Sequence, residues 1–241
     1  MDVQWGPESG KSLLGVVANP LMEQAGISGE AHVTTEIDGS LRKGRIFFAV
    51  RPEDSLLVEA VTPSDDTIAL LAMHKGRFMT YERGEAACRV GPPCRANVMR
   101  VLPVYMNGAE VVQMFFGRPP LIKGTLKPLV LDKKTRRRVL ELSSTDGSRQ
   151  RLEFSASRRR LFRSQIWFGD TLISEIRYDR FRRGPQGQQL PGRVQIRRPD
   201  AKTRITIRLL DVDALEENPH TFSTDCPAGT TAVEQPCVIE P

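Results

Sequence analysis

From Ala31 to Leu209 the chain repeatedly places an apolar side chain at every second position, a period that only half-buried β-strands satisfy. Ala31, Val33, Thr35 and Ile37 alternate with His32, Thr34 and Glu36. Ile46, Phe48 and Val50 stand opposite Lys43, Arg45 and Phe47, and Leu56, Val58 and Ala60 follow the turn at Arg51-Pro52-Glu53-Asp54. Two more segments, 67–73 with Ile68, Leu70 and Ala72, and 76–82 with Phe78 and Thr80, extend a meander joined at Ser64-Asp65-Asp66 and Lys75-Gly76. A second series begins at 137–143 (Leu140, Leu142) and 149–155 (Leu152, Phe154). It continues through 160–168 (Phe162, Ile166, Phe168) and 171–181 (Leu172, Ile176, Tyr178), and ends with Val194 and Ile196, then Ile205, Ile207 and Leu209. Arg193, Arg197, Arg204 and Arg208 take the opposite face of the last two strands.

About eleven antiparallel strands exceed what an open twisted sheet holds without curling. The expected fold is therefore mainly β (α+β): one curved antiparallel sheet forming a half-open barrel, with helices over its concave face. Three segments supply those helices. Ser12–Gln24 has helical apolar spacing bent at Asn19-Pro20, with Ser9 or Ser12 as the cap. Asn97 opens a helix that Pro103 interrupts; Asn107, with Glu110 three residues on, forms a variant capping box for an apolar helix that Gly117 ends. The domain boundaries that follow are a flexible leader at 1–11, a half-barrel at 12–222 and a C-terminal tail at 223–241.

Composition bounds the function. The 241 residues are 39% hydrophobic and 27% charged, enough for a real core, and no run approaches the length of a membrane-spanning helix. The four cysteines fall in two local pairs beside Gly and Pro, Cys88 with Cys94 and Cys226 with Cys237. Neither spacing is C-x-x-C, so two disulfides are expected ahead of free thiols or a metal, and four cysteines allow three pairings. Oxidised pairs imply the periplasm or the exterior, with Met1 standing in for a cleaved leader. The net charge of +6 includes Lys133-Lys134-Thr135-Arg136-Arg137-Arg138, Arg158-Arg159-Arg160 and Arg180-Phe181-Arg182-Arg183. These clusters lack the stacking aromatics of a single-strand binder; turns and solvated strand faces are expected rather than nucleic acid, and an anionic membrane surface would attract them equally.

Catalytic patterns are thin. Gly6-Pro7-Glu8-Ser9-Gly10-Lys11-Ser12 is one residue short of a phosphate-binding loop and has no buried strand before it. His32, His74 and His220 are the only histidines, and no G-x-S-x-G or H-E-x-x-H accompanies them. Asp65-Asp66 and Glu216-Glu217 read as solvated turn residues. A non-enzyme without metal or cofactor is expected.

Several short segments carry a resemblance: Asn19-Pro20 before Ile27-Ser28-Gly29-Glu30-Ala31, Arg42 to Val50, Leu56-Leu57-Val58-Glu59-Ala60 with Pro63, and Gly76-Arg77-Phe78. Further on come Phe116-Gly117-Arg118-Pro119-Pro120-Leu121, Ile176 to Phe181 with Leu190-Pro191, and Asn218-Pro219 with Phe222. Together they make the chain resemble the LolA/LolB lipoprotein carriers and receptors, most nearly the LolB-like lipoproteins of myxobacteria and related bacteria. The resemblance implies a periplasmic domain associated with the outer membrane, tethered in its full-length form by a lipidated N-terminal cysteine absent here. It implies a cavity for acyl chains or lipoproteins. The receptor's protruding leucine loop corresponds to Pro63-Ser64-Asp65-Asp66, which is polar.

Ile46, Phe48, Leu56, Val58, Ile68, Leu70, Phe78, Phe154, Ile166 and Ile176 are expected to line the concavity, with Val112 and Phe115 on the helix across it. Two outcomes stay open, a cavity that accepts acyl chains and one filled by its own side chains, since a folded sheet needs an oily inner face in either case. The alternative role is a non-catalytic structural or docking subunit of an envelope complex, using the basic face and exposed edges for a protein partner.

Overall fold

The computed structural model describes residues 4–5, 7–18, 25–156, 160–216, 218 and 220–237. The N-terminal part runs β1 (Gln4–Trp5), α1 (Pro7–Ala18), β2 (Ile27–Ile37), β3 (Ser40–Arg51), β4 (Ser55–Val61), β5 (Thr67–His74), β6 (Arg77–Glu82) and β7 (Ala87–Gly91). Helices α2 (Arg95–Val101) and α3 (Gly108–Phe115) follow, then β8 (Thr125–Leu126), β9 (Leu129–Asp132), β10 (Arg137–Ser143), β11 (Ser148–Ser155), β12 (Leu161–Phe168) and β13 (Thr171–Asp179). The chain ends with β14 (Arg182–Arg183), β15 (Gln189–Leu190), β16 (Arg193–Arg198), β17 (Thr203–Ala214) and β18 (Thr231–Glu234).

One 16-stranded sheet holds nearly all of this, in the order β1-β9-β10-β11-β12-β13-β16-β17-β2-β3-β4-β5-β6-β7-β18, with β8 also on β10. Strands β14 and β15 form a separate ribbon. Hairpin chemistry sets the meander: Asp38-Gly39 and Lys75-Gly76 each place two consecutive residues at positive φ, the geometry of tight two-residue turns. The two halves of the chain join where β17 zips along the whole length of β2.

Laid flat, fifteen strands at about 4.8 Å spacing would span roughly 70 Å. Yet Phe48 on β3, Phe154 on β11, Leu13 on α1 and Val112 on α3 belong to one buried cluster, so the sheet curls around its helices. Among the described residues it does not close, because the edge strands β1 and β18 do not pair with each other.

The expected half-barrel is corrected in three respects. The sheet is mixed, since β18 runs parallel to β7, and short strands β1, β7, β8, β9 and β18 bring its number to sixteen. The Gly91-Pro92-Pro93 run between Cys88 and Cys94 reads as a loop, yet residues 88–91 lie in β7, which pairs with β6 on one side and with the tail's β18 on the other. The leader expected over 1–11 contains β1 paired to β9 and the start of α1, so Ser9 and Ser12 lie inside the helix rather than capping it. The helix ends at Ala18; the expected bend at Asn19-Pro20 and the run to Gln24 lie outside the described residues.

Both disulfides form, and neither local pair does. Cys88 bonds Cys226 and Cys94 bonds Cys237, across sequence separations of 138 and 143 residues. They fasten the tail along β7, a contact that local spacing does not reveal. Asn97, expected to begin a helix, is fully buried in the first turn of α2, and its side-chain NH2 donates to the carbonyls of Pro92 (2.9 Å) and Gln235 (2.8 Å). Gly91 is needed there: a Cβ would stand 2.3 Å from the Gln235 carbonyl oxygen.

Candidate functional site

The residues expected to line the concavity divide into three groups. Ile46, Phe48, Leu56, Phe78, Val112, Phe115, Phe154 and Ile176 are buried together in the main core, with Val58 packed against it. The rings of Phe48 and Phe115 lie 5.3 Å apart, so the space directly beneath α3 is filled by the protein's own side chains. Ile166 is half-buried and borders an open space. Ile68 and Leu70 are on the wrong face.

Register explains that error. On β4 and β5, Leu56 faces Met73 and Val58 faces Leu71, so the inward residues of β5 are Leu71 and Met73. A register shift between Ala60 and Val61 leaves Ile68 unpaired and 44% exposed. Leu70 packs on the outer side with Ala72, Met79, Cys88 and Val90, a second small core. Because every residue from Ile68 to Met73 is apolar, alternation carries no facing information there.

The open space is a cavity of about 730 Å3 beside the filled core. Its walls come from the α2–α3 connection (Tyr105, Met106), the strap that follows α3 (Pro120, Leu121, Ile122) and the adjoining ends of β12 and β13 (Ile166, Phe168, Ile173, Ile176). That volume lies in the range of small-ligand sites, about 300–1,000 Å3. Phe168 is 57% exposed and Tyr105 40% exposed, which makes an aromatic rim at the opening.

Polar groups fix these walls. Gln150 on β11 is fully buried; its Nε2 donates to the Pro120 carbonyl (2.7 Å) and the Ser164 hydroxyl (2.9 Å), and its Oε1 accepts from the Ile122 N–H (3.0 Å). The strap is thus pinned to the sheet by one side chain. At the mouth Arg95 donates to Glu110 (3.1 Å) and lies 4.9 Å from the Tyr105 ring centre. Asp146, also at the rim, is held below the usual carboxylate range, first by the Ser148 backbone N–H. Ser148, Ser164 and Ser174 alternate with Ile166 and Ile176 along the wall, so the cavity is apolar with interspersed hydroxyls.

Tyr105, Met106, Leu121, Ile122 and Ile173 were not expected in the lining. Ile173 enters through a register shift between Ile166 and Trp167, and the others lie outside regular elements, where periodicity is silent. Among the described residues no cluster of three or more His, Cys, Asp or Glu is placed to hold a metal ion. No helix among them is long and apolar enough to cross a membrane.

No protein-family model and no curated protein matches the sequence. Solved structures do share its architecture. A DUF1329 family protein from Desulfovibrio piger superposes with TM-score 0.63 at 15% identity, over 90% of this chain and 96% of that one. A domain assigned to outer membrane lipoprotein sorting, from Vibrio parahaemolyticus, gives 0.61 at 12% identity, over 88% and 96%. A LolA superfamily protein from Nitrosomonas europaea gives 0.59 at 14%, over 89% and 97%. The chain therefore has the fold of the LolA superfamily and of DUF1329 structures.

Proposed function

We propose that this protein is a periplasmic, outer-membrane-associated domain that takes up an acyl chain or the lipid part of a lipoprotein, without covalent chemistry. The observation that carries the proposal is the 730 Å3 opening bordered by Met106, Leu121, Ile166, Ile173 and Ile176. Each methylene moved from water into such a site contributes about 0.8 kcal/mol, so even partial insertion of a long chain gives firm binding. Two disulfides fit an oxidising compartment. The named lipoprotein-sorting neighbour fits the same role, and kinship to the myxobacterial LolB-like lipoproteins is part of this proposal.

Mass spectrometry of the native protein and of its organic extract tests the proposal. The expected result is co-purified lipid, and saturable binding of a fluorescent fatty acid that Ser174→Trp weakens about tenfold by filling the cavity, with an unchanged melting temperature. A protein that carries no lipid and binds neither fatty acid nor lipidated peptide overturns it. The filled space beneath α3 favours a second reading, a docking subunit whose inner face serves only folding. A stoichiometric protein partner, retained after lipid removal and with Ser174→Trp, would select that reading.

A further inference from the structure

The outer face of the sheet bears a row of basic residues in register across four strands. Arg193 on β16 faces Arg208 on β17, Arg208 faces His32 on β2, and His32 faces Arg45 on β3. Directly opposed side chains stand about 4.5–5.5 Å apart at Cβ, and like charges so placed destabilise a sheet. At its two ends the row is neutralised within the protein. Arg193 donates two hydrogen bonds to Asp179 (2.7 and 2.6 Å), which raise its pKa; Arg45 pairs with Asp65 and lies 3.6 Å from Glu30.

The middle of the row has no such compensation. Among the described residues neither Arg208 nor His32 pairs with a carboxylate, and neither does Lys43 in the adjacent row, which reads Thr206, Thr34, Lys43. The nearby Glu36 is already engaged by Arg204 at 3.0 Å. A depression of about 440 Å3 opens over these residues. We infer that it is a binding site for a phosphate-bearing anion, held by Arg208 and Lys43 with the hydroxyls of Thr34 and Thr206 as further donors. Two cationic groups and two hydroxyl donors match the several acceptor oxygens of a phosphate better than the two of a carboxylate, and the guanidinium fork suits phosphate geometry. The site lies on the face opposite the acyl cavity and does not depend on it.

The intact, oxidised protein provides the test. Binding of inorganic phosphate and glycerol phosphate is measured by calorimetry, and binding to phosphatidylcholine vesicles with and without phosphatidylglycerol by flotation. Arg208→Gln and Lys43→Gln are each expected to weaken phosphate-dependent binding about tenfold. Lys133→Gln, the same charge change in an exposed turn, should leave it within about twofold, as should Ser174→Trp. Saturable binding of the small phosphates identifies a soluble ligand; binding confined to phosphatidylglycerol vesicles, and competed by glycerol phosphate, identifies a lipid headgroup. Arg208→Lys keeps the charge and the sheet while losing the fork, and an intermediate loss is expected. Equal losses from Lys133→Gln and Arg208→Gln, binding to none of the probes, or capture of an acidic protein insensitive to phosphate overturn the inference.

Discussion

Tyr178 is fully buried on the inner face of β13, and among the described residues its hydroxyl finds no hydrogen-bond partner. Burial pushes the phenol well above its ordinary range, because the ionised form would lose its water. The unfolded chain releases this proton near pH 10 while the folded one keeps it, so stability falls as pH rises beyond about 10. Tyr178→Phe removes the unpaired hydroxyl without a large change of shape. Its urea midpoint at neutral pH should change by no more than about 1 kcal/mol in stability, and its decline at alkaline pH should be shallower than that of the parent. Gln150→Leu should behave in the opposite way. It strands the Ile122 N–H and the Pro120 carbonyl, with an expected loss of about 2–3 kcal/mol in urea titration and weaker fatty-acid binding as the strap detaches. Tyr178 was placed on the apolar face by its spacing, but Gln150 did not stand out in the sequence. A lone polar side chain at an inward position looks like a surface residue until its partners, 28 and 30 residues away in Gln150's case, are known.

Helix α3 is the element that sequence described best. Asn107 accepts from the Glu110 N–H (3.0 Å) and Glu110 accepts from the Asn107 N–H (2.8 Å), the reciprocal cap expected from their spacing, and Gly117 follows the helix at φ 77°. Asn107→Ala should cost about 1 kcal/mol, read from thermal unfolding, with the rest of the fold intact. The eleven longer strands were equally legible, since polar and apolar residues alternate in them over enough positions to fix both their existence and, for most, their facing. Strand β5 was legible as a strand and not in its facing, because Ile68 to Met73 offers no polar position to mark the outside. Strand β7 was not legible at all. It is five residues long, it runs into Gly91-Pro92-Pro93, and part of what stabilises it is β18, whose residues lie far along the chain.

Across the whole molecule, local periodicity told how the sheet is made and not how it is finished. Curling was expected from the number of strands, whereas the joining of β17 to β2 and the position of the cavity follow from contacts between the two halves that periodicity does not carry. The disulfides are the clearest case, with bonding expected and the pairing crossed. Replacing Cys88 and Cys226 together by serine should lower stability by about 2–5 kcal/mol, measured by denaturant unfolding against the parent under oxidising conditions. The parent treated with reductant should shift in the same direction. A wide open sheet has two bare rims, each a template on which a foreign strand can grow. Here the four-residue β18 lies along β7 and is riveted beside it at Cys226 and Cys237, so the rim on that side is short, and only an electron donor that cuts the rivets would bare β7 behind it.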